Sequence, residues 1–340
     1  MLICPECERP LHSHYVANEQ NTPSPTGGVA VETVAETGTY TCENGHAFPV
    51  VRGIPRFVPS SNYADGFGFQ WRRHATTQHD QFSGVPVSEE RFFKETKWPR
   101  DLDGETILEV GCGSGRFTSH ALSTGALVTA IDLSNAIEVN AEINGEHPNL
   151  RLAQADIEHM PFPRNRFDKV FCFGVLQHTP DPELAFKTIA DYVRPGGSLV
   201  VDVYDRREGL LSLIEPLFRS YLWLRPFSRR LQPETLYEWV ESYVKTVWPV
   251  GRMVGRIPYL GTKINKMLLI HDYRNRFALG EDELREWAIL DAFDNLSPRY
   301  DQRQTISTVK RWFNDLKFCD VEVHYGYNGI EGRGRSPVTA

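Results

Sequence analysis

Residues 107–117, ILEVGCGSGRF, constrain the fold more than any other stretch of the chain. The opening half is apolar, partly β-branched and closed by glycine, the pattern of a strand buried on both faces in a parallel sheet. Gly111, Gly113 and Gly115 then alternate along the turn, removing Cβ atoms where the chain bends sharply and where a ligand must meet bare backbone. A helix starting at Arg116 directs the turn's N–H groups into the crevice at the carboxyl end of the strand, where open α/β sheets bind ligands. The spacing is G-x-G-x-G, not the G-x-G-x-x-G of a pyrophosphate cradle. An ordinary tight strand-to-helix turn also satisfies this loop when it is taken alone.

The neighbouring segments repeat the same logic. Residues 126–131 read as a second buried strand ending at Asp132, about twenty residues past the first glycine, where an acid accepts hydrogen bonds from ribose hydroxyls. Residues 149–154 form a third strand, followed by Asp156 and Ile157. A fourth strand, 170–173, leads through Phe173 and Gly174 into Val175-Leu176-Gln177-His178. Asp181-Pro182-Glu183 has the order of N-cap, first helical position and acidic first turn. Phe186, Ile189, Ala190 and Val193 carry that helix to the stop at 194–197, RPGG, and residues 198–204 form a fifth strand.

This succession, over residues 100–205, resembles the class I S-adenosylmethionine-dependent methyltransferases. Residues 107–117 correspond to motif I of that family and Asp132-Leu133-Ser134 to motif II. The resemblance implies an α/β fold with a doubly wound, mostly parallel, seven-stranded Rossmann-like sheet, and an enzyme using S-adenosyl-L-methionine. It implies that Glu109, Gly111, Cys112, Gly113, Gly115, Asp132, Leu133, Asp156, Ile157, Phe173 and Gly174 hold the cofactor, with Asp156 on the adenine amine and Ile157 on the ring. Residues ahead of the first strand fold over the cofactor in this family. There Arg91, on a helix that Ser88 opens as N-cap, either pairs with the methionine carboxylate or is simply a surface arginine.

The amino-terminal segment has its own logic. Cys4-Pro5-Glu6-Cys7 and Cys42-Glu43-Asn44-Gly45-His46 supply four ligands for tetrahedral zinc in a closed, structural set. His12 or His14 is the alternative to His46. A module this small holds no sufficient core without such a metal. The polar, breaker-rich loop at 18–28 separates the two pairs. The knuckles and residues 45–57, GHAFPVVRGIPRF, resemble the small zinc ribbon that precedes some bacterial methyltransferase domains, one group of which methylates ribosomal RNA guanine.

The expected organisation is a zinc-ribbon-like module at 1–58, a linker and helical cover at 59–100, the cofactor core at 101–204, a helical substrate-cap insertion at 205–300, and completion of the sheet plus a mobile tail at 301–340. Residues 305–316 read as an amphipathic helix and 321–325 as a last strand; the tail is 332–335, GRGR. In the insertion, apolar residues recur at 210, 214, 217, 221 and 224 with arginines alongside, a cap packing on the core or a helix at a lipid interface. Pro216 argues against one unbroken helix. Insertions of the resembled fold build the acceptor pocket, and here ionisable groups concentrate at 271–273 and 290–301. His178, leaving the fourth strand beside the expected methyl group, is the first candidate for a general base, with His271 and Tyr273 next.

A net charge of −7 disfavours a phosphate-backbone partner. Residues 206–276 nevertheless carry thirteen Lys/Arg against six Asp/Glu. The amino terminus has no signal-peptide pattern and no stretch has membrane-spanning length, while six cysteines in metal-type and isolated positions suit a reducing cytoplasm. The expected activity is methyl transfer to a small or carrier-linked metabolite, of secondary-metabolite or glycan type. RNA methylation guided by the zinc module, and a non-catalytic cofactor-binding module, are the alternatives.

Overall fold

The computed structural model describes residues 2–15, 37–59, 62–209, 219–274 and 276–338. The loop at 18–28, the apolar positions 210, 214 and 217, and Pro216 lie outside them. Four short antiparallel strands come first: β1 (His12–Tyr15), β2 (Thr37–Thr41), β3 (Ala47–Val51) and β4 (Ile54–Pro55). Three helices follow, α1 (Asp65–Arg73), α2 (Asp80–Ser83) and α3 (Val87–Thr96).

Parallel strands need crossovers, and here helices supply them. The alternation runs β5 (Thr106–Val110), α4 (Thr118–Leu122), β6 (Leu127–Asp132), α5 (Ile137–Asn144), β7 (Leu150–Gln154), β8 (Phe167–Phe173), α6 (Pro182–Ala190) and β9 (Val193–Val203). A helical cap comes next: α7 (Ser220–Ser228), α8 (Pro233–Val254), α9 (Leu260–Met267) and α10 (Glu281–Leu296). The chain then returns through α11 (Ile306–Asp315) to β10 (Cys319–Tyr325) and β11 (Ile330–Arg335). The sheet order is β10-β11-β9-β8-β5-β6-β7, with β11 antiparallel to both neighbours. Winding reverses at β5, which pairs with β6 on one side and β8 on the other, so the crevice at its carboxyl end is the topological switch point.

Apolar clusters cover both faces. Leu108, Val170, Phe186 and Phe313 pack on one, and Ile107, Val128, Phe92 and Phe171 on the other. The cap has a core of its own around Tyr237, Val244, Trp248 and Phe293. Among the described residues of the amino-terminal ribbon, Cys4, Leu11 and Cys42 form a small buried cluster, with Val50 and Ile54 buried in the strands β3 and β4. The ribbon docks on the open edge of β7: Phe57 N–H donates to Gln154 O at 2.8 Å, and Arg56 donates to Gln154 Oε1 and Glu138 Oε1 at 3.1 and 2.9 Å. An unpaired sheet edge is thereby covered.

Three local expectations need correction. Residues 332–335 are no mobile tail but part of β11, paired between β9 and β10 and buried as far as Gly334. Its glycines are there because Phe313 of α11 lies directly over the strand; a Cβ on Gly332 would sit 2.8 Å from Phe313 Cε2. The fifth strand begins at Val193 and runs through 194–197 instead of after it. Ser88 does not cap α3: Asp80 does, accepting the N–H groups of Ser88 and Glu89 at 2.8 and 2.7 Å, while the Ser88 hydroxyl donates to Gln78 O. In the cap helix Tyr221 is buried and Leu224 exposed, so the apolar row is split between core and surface.

Candidate functional site

A cavity opens at the switch point, with about 1450 Å³ of space not filled by protein atoms and part of it open to solvent. Its floor is the loop after β5. Gly111, Gly113 and Gly115 have φ of +78°, +53° and +86°, values that only glycine adopts readily. A Cβ on Gly111 would overlap Val175 at 2.4 Å, and one on Gly113 would reach Trp71 Nε1 at 3.0 Å. Gly115 faces the other way, where a Cβ would overlap Asn140 Oδ1 at 2.3 Å; it serves packing against α5 and does not line the cavity.

Asp132 ends β6 at the cavity wall. Gly113 N–H donates to its Oδ2 at 2.8 Å, and the Ser134 N–H and hydroxyl donate to Oδ1 at 2.8 and 2.6 Å. A carboxylate offers about four lone-pair positions, so this one retains capacity for a further donor. Burial raises its pKa. Cys112, Leu133, Ile157, Phe173 and Gly174 also line the cavity. Asp156 stands next to Ile157 and accepts Glu158 N–H at 3.0 Å, outside the immediate lining. Glu109 is likewise set back: it takes the Thr118 hydroxyl at 2.5 Å, and burial pushes its pKa up to about 8. It is a neutral, internally satisfied acid near pH 7.

Arg91 reaches the cavity with its charge already engaged. Its Nε donates to Glu95 Oε1 at 2.6 Å and its Nη2 to Asp202. Rings of Phe117, Phe173 and Tyr327 surround the guanidinium. Arg116, in contrast, lines the cavity with Gln78 as its hydrogen-bond partner and no carboxylate paired to it among the described residues. Burial, followed by repulsion from Arg91, lowers its pKa to about 10.

The opposite wall comes from the cap and from α1. Tyr63, Phe67, Gln70 and Trp71 close one side, while Tyr273, Trp287, Leu290, Asp291 and Asp294 close the other. His178 sits between them. Its Nδ1 lies 2.9 Å from Tyr300 O, an acceptor only, which makes Nδ1 the protonated nitrogen and leaves Nε2 with its lone pair. Phe67 and Tyr204 hold the ring from two sides. Burial lowers the His178 pKa, so the imidazole is neutral at pH 7. Tyr273 donates its hydroxyl to Asp291 Oδ2 at 2.5 Å, and burial followed by that charge keeps its pKa well above the ordinary value, making it a donor and a poor base. His271 stands behind Asp291, with Nδ1 3.8 Å from Oδ2 and Nε2 3.2 Å from Asn295 Nδ2, and does not line the cavity.

Tyr204, Tyr327 and Asn328 line the cavity without any signal in their local sequence. They arrive through the carboxyl end of β9 and the β10–β11 hairpin, contacts that sequence periodicity does not report. Arg116 was legible in principle as a cation next to the glycine loop.

Thirty-four residues separate Cys7 from Cys42, yet the two pairs of the amino-terminal cluster meet. The ligand atoms of Cys4, Cys7, Cys42 and His46 all lie within 4.8 Å of one another. Cys7 Sγ is 3.7 Å from Cys42 Sγ, and His46 Nδ1 is 3.3 and 3.5 Å from Cys4 and Cys42 Sγ. A tetrahedron with metal–sulfur bonds of about 2.3 Å has sulfur–sulfur edges of about 3.8 Å. His14 is occupied elsewhere, its Nε2 2.9 Å from Thr41 Oγ1.

Fold and cavity together define a doubly wound α/β sheet with a cavity at its switch point. Residues 108–201 match the family described as a methyltransferase domain. Two curated relatives are ubiquinone biosynthesis O-methyltransferases. That of Coxiella burnetii is 29% identical over 158 residues, covering 42% of this chain and 63% of its own. That of Alkalilimnicola ehrlichii is 31% identical over 144 residues, covering 41% and 54%. A solved S-adenosylmethionine-dependent methyltransferase from Mesorhizobium loti is 26% identical over 35% of this chain and 55% of its own, with a TM-score of 0.31. The chain thus spans less than two thirds of the curated relatives it matches. The sheet core is that of a class I S-adenosylmethionine-dependent methyltransferase.

Proposed function

We propose that the protein transfers a methyl group from S-adenosylmethionine to a hydroxyl of a small or carrier-linked acceptor, and that its amino-terminal module is held by a structural zinc. One observation carries the reading: the unprotonated Nε2 of a neutral, buried His178 shares a cavity with the glycine loop and Asp132. The curated relatives are named as O-methyltransferases, which favours an oxygen acceptor. A hydroxyl must lose its proton to become a good nucleophile, and on this reading His178 takes it.

Bound S-adenosylmethionine supplies a methyl group on a sulfonium, an electrophile that needs little further activation. Asp132 offers its remaining acceptor capacity to the ribose hydroxyls, and the backbone at Gly111 and Gly113 admits the amino-acid end. Arg116 takes the carboxylate there, because Glu95 and Asp202 already neutralise Arg91. Trp71 and Tyr63 cover the site against water, and the cap residues Trp287 and Leu290 with Asp291 and Asp294 face the acceptor. Alignment of the reacting atoms is then the main contribution of the protein, worth about 7–11 kcal/mol in favourable cases. Cys4, Cys7, Cys42 and His46 would hold a zinc ion with three thiolates and an imidazole, a full set of four ligands that would give the metal a structural role.

The test is methyl transfer from labelled donor to a panel of hydroxylated acceptors, with and without apolar tails. Product formation that depends on His178 supports the reading. Transfer only to amines or to RNA would overturn the acceptor assignment.

A further inference from the structure

The cap that faces the cavity turns a second, unused face to solvent. Of eighteen large apolar side chains exposed among the described residues, twelve fall between positions 223 and 267. On α8, Trp239, Tyr243, Val250 and Met253 recur at helical spacing and are 39–69% exposed. They flank the buried row of Leu236, Val240, Val244 and Trp248 along one side of the helix. On α9 the exposed row is Leu260, Ile264 and Met267. The loop between these helices presents Tyr259 at 92% exposure with a φ of +61°, a costly backbone for a tyrosine.

These elements form one surface. The Tyr243 hydroxyl donates to Leu268 O at 2.9 Å, and the Ser220 hydroxyl to Met267 O at 2.7 Å, joining α8 and α7 to the end of α9. Scattered apolar side chains are normal on a soluble protein, but a continuous field of them marks a contact surface. Its charge indicates the partner. Residues 219–267 hold nine Lys/Arg against three Asp/Glu in a chain of net charge −7. Arg229, Arg230, Arg256, Lys263 and Lys266 are exposed, and none is paired with an acid among the described residues.

We propose that this face docks the protein on an anionic lipid bilayer. Trp, Tyr, Leu and Met enter the headgroup–acyl boundary while the five cations stay with the lipid phosphates. No helix among the described residues is long and apolar enough to cross a membrane, so the contact is peripheral. α10 links the face to the cavity: it carries Leu290, Asp291 and Asp294, and its Glu281 accepts the indole N–H of Trp248 on α8 at 2.5 Å. An acceptor with an apolar tail therefore reaches the cavity from the lipid side. That last step rests on the proposed methyl transfer; the docking itself does not.

The experiment is co-sedimentation of the full, zinc-replete chain with vesicles of phosphatidylcholine alone or mixed with phosphatidylglycerol. Binding to the anionic vesicles, weakened by salt, is expected. The Met253→Asp/Leu260→Asp and Lys263→Glu/Lys266→Glu double variants are each expected to bind at least about tenfold more weakly, with unchanged melting and unchanged turnover of a water-soluble acceptor. No binding to either vesicle would overturn the proposal. So would a wild-type dimer in sedimentation velocity that Met253→Asp converts to monomer, because the face would then belong to a second copy. Vesicle binding, melting and sedimentation velocity need no methyl transfer, so a failed activity assay leaves the docking result standing.

Discussion

Replacing His178 tests the chemistry with the least ambiguity. His178→Ala removes a cavity-lining imidazole whose Nε2 carries the free lone pair, and general bases contribute about 10²- to 10⁴-fold in rate. At about 1.4 kcal/mol per decade, that is roughly 3–5 kcal/mol of barrier. The same substitution strips Tyr300 O of its donor, a buried loss of about 1–3 kcal/mol in stability, so melting must be followed alongside turnover. Asp132, Gly113 and Arg116 are untouched, and affinity for S-adenosylhomocysteine should therefore stay within severalfold. The pH profile is a second, independent readout. Burial lowers the His178 pKa below the ordinary 6.5, so the base is already neutral at pH 7. Activity should rise with pH on the acid side, through a value below 6.5, and be level across neutrality. Initial rates from pH 4.5 to 8 on a hydroxylated acceptor, with calorimetry of product binding, measure both. Unchanged turnover in His178→Ala, or an acid limb centred above 7, would refute the assignment.

Arg116→Ala should weaken cofactor binding by about tenfold or more while leaving the melting temperature nearly unchanged, whereas Arg91→Ala should act mainly on stability, because it strands Glu95 and Asp202 as buried unpaired acids; calorimetry and thermal melts on the two variants separate these roles. Glu109 has a pKa raised from 4.5 to about 8, so the unfolded chain releases this proton at lower pH than the native one, and its contribution to stability falls as pH rises between those values. Glu109→Gln should accordingly narrow the difference in melting temperature between pH 5 and pH 8, and an unaltered difference would contradict the burial argument. Cys42→Ser should abolish bound zinc in metal analysis and unfold residues 2–57 to proteolysis while the central sheet remains resistant.

The succession of strands and helices in the sheet core was legible because its signals are local. The glycine loop, Asp132 at the end of β6 and the Asp181 cap of α6, which accepts Glu183 and Leu184 N–H at 3.0 Å each, are written within a few residues of where they act. The pairs Cys4/Cys7 and Cys42/His46, 35 or more residues apart, stand out locally as C-x-x-C and C-x-x-x-H, and the fold brings their four side chains together. Long-range partners were not. Nothing near Arg91 announces that Asp202 will neutralise it, and nothing near Ser88 announces that Asp80 will cap its helix. The glycines of 332–335 look like a loose tail until Phe313 is laid across them, because a strand that must pass under an aromatic ring is glycine-rich for steric reasons. His271 and Tyr273 were sound candidates by type, but Asp291 recruits one as a donor and hides the other. The cavity wall opposite the glycine loop draws on α1, β9, α10 and the β10–β11 hairpin, and no single stretch of sequence carries it.

Titration calorimetry of the zinc-replete chain with S-adenosylmethionine and S-adenosylhomocysteine tests the central claim most directly. Both should bind at one site per chain, and Asp132→Ala, which removes a charged acceptor from the ribose position, should weaken both by about tenfold or more. Heat from a nicotinamide dinucleotide, with none from either sulfur nucleoside, would contradict the account.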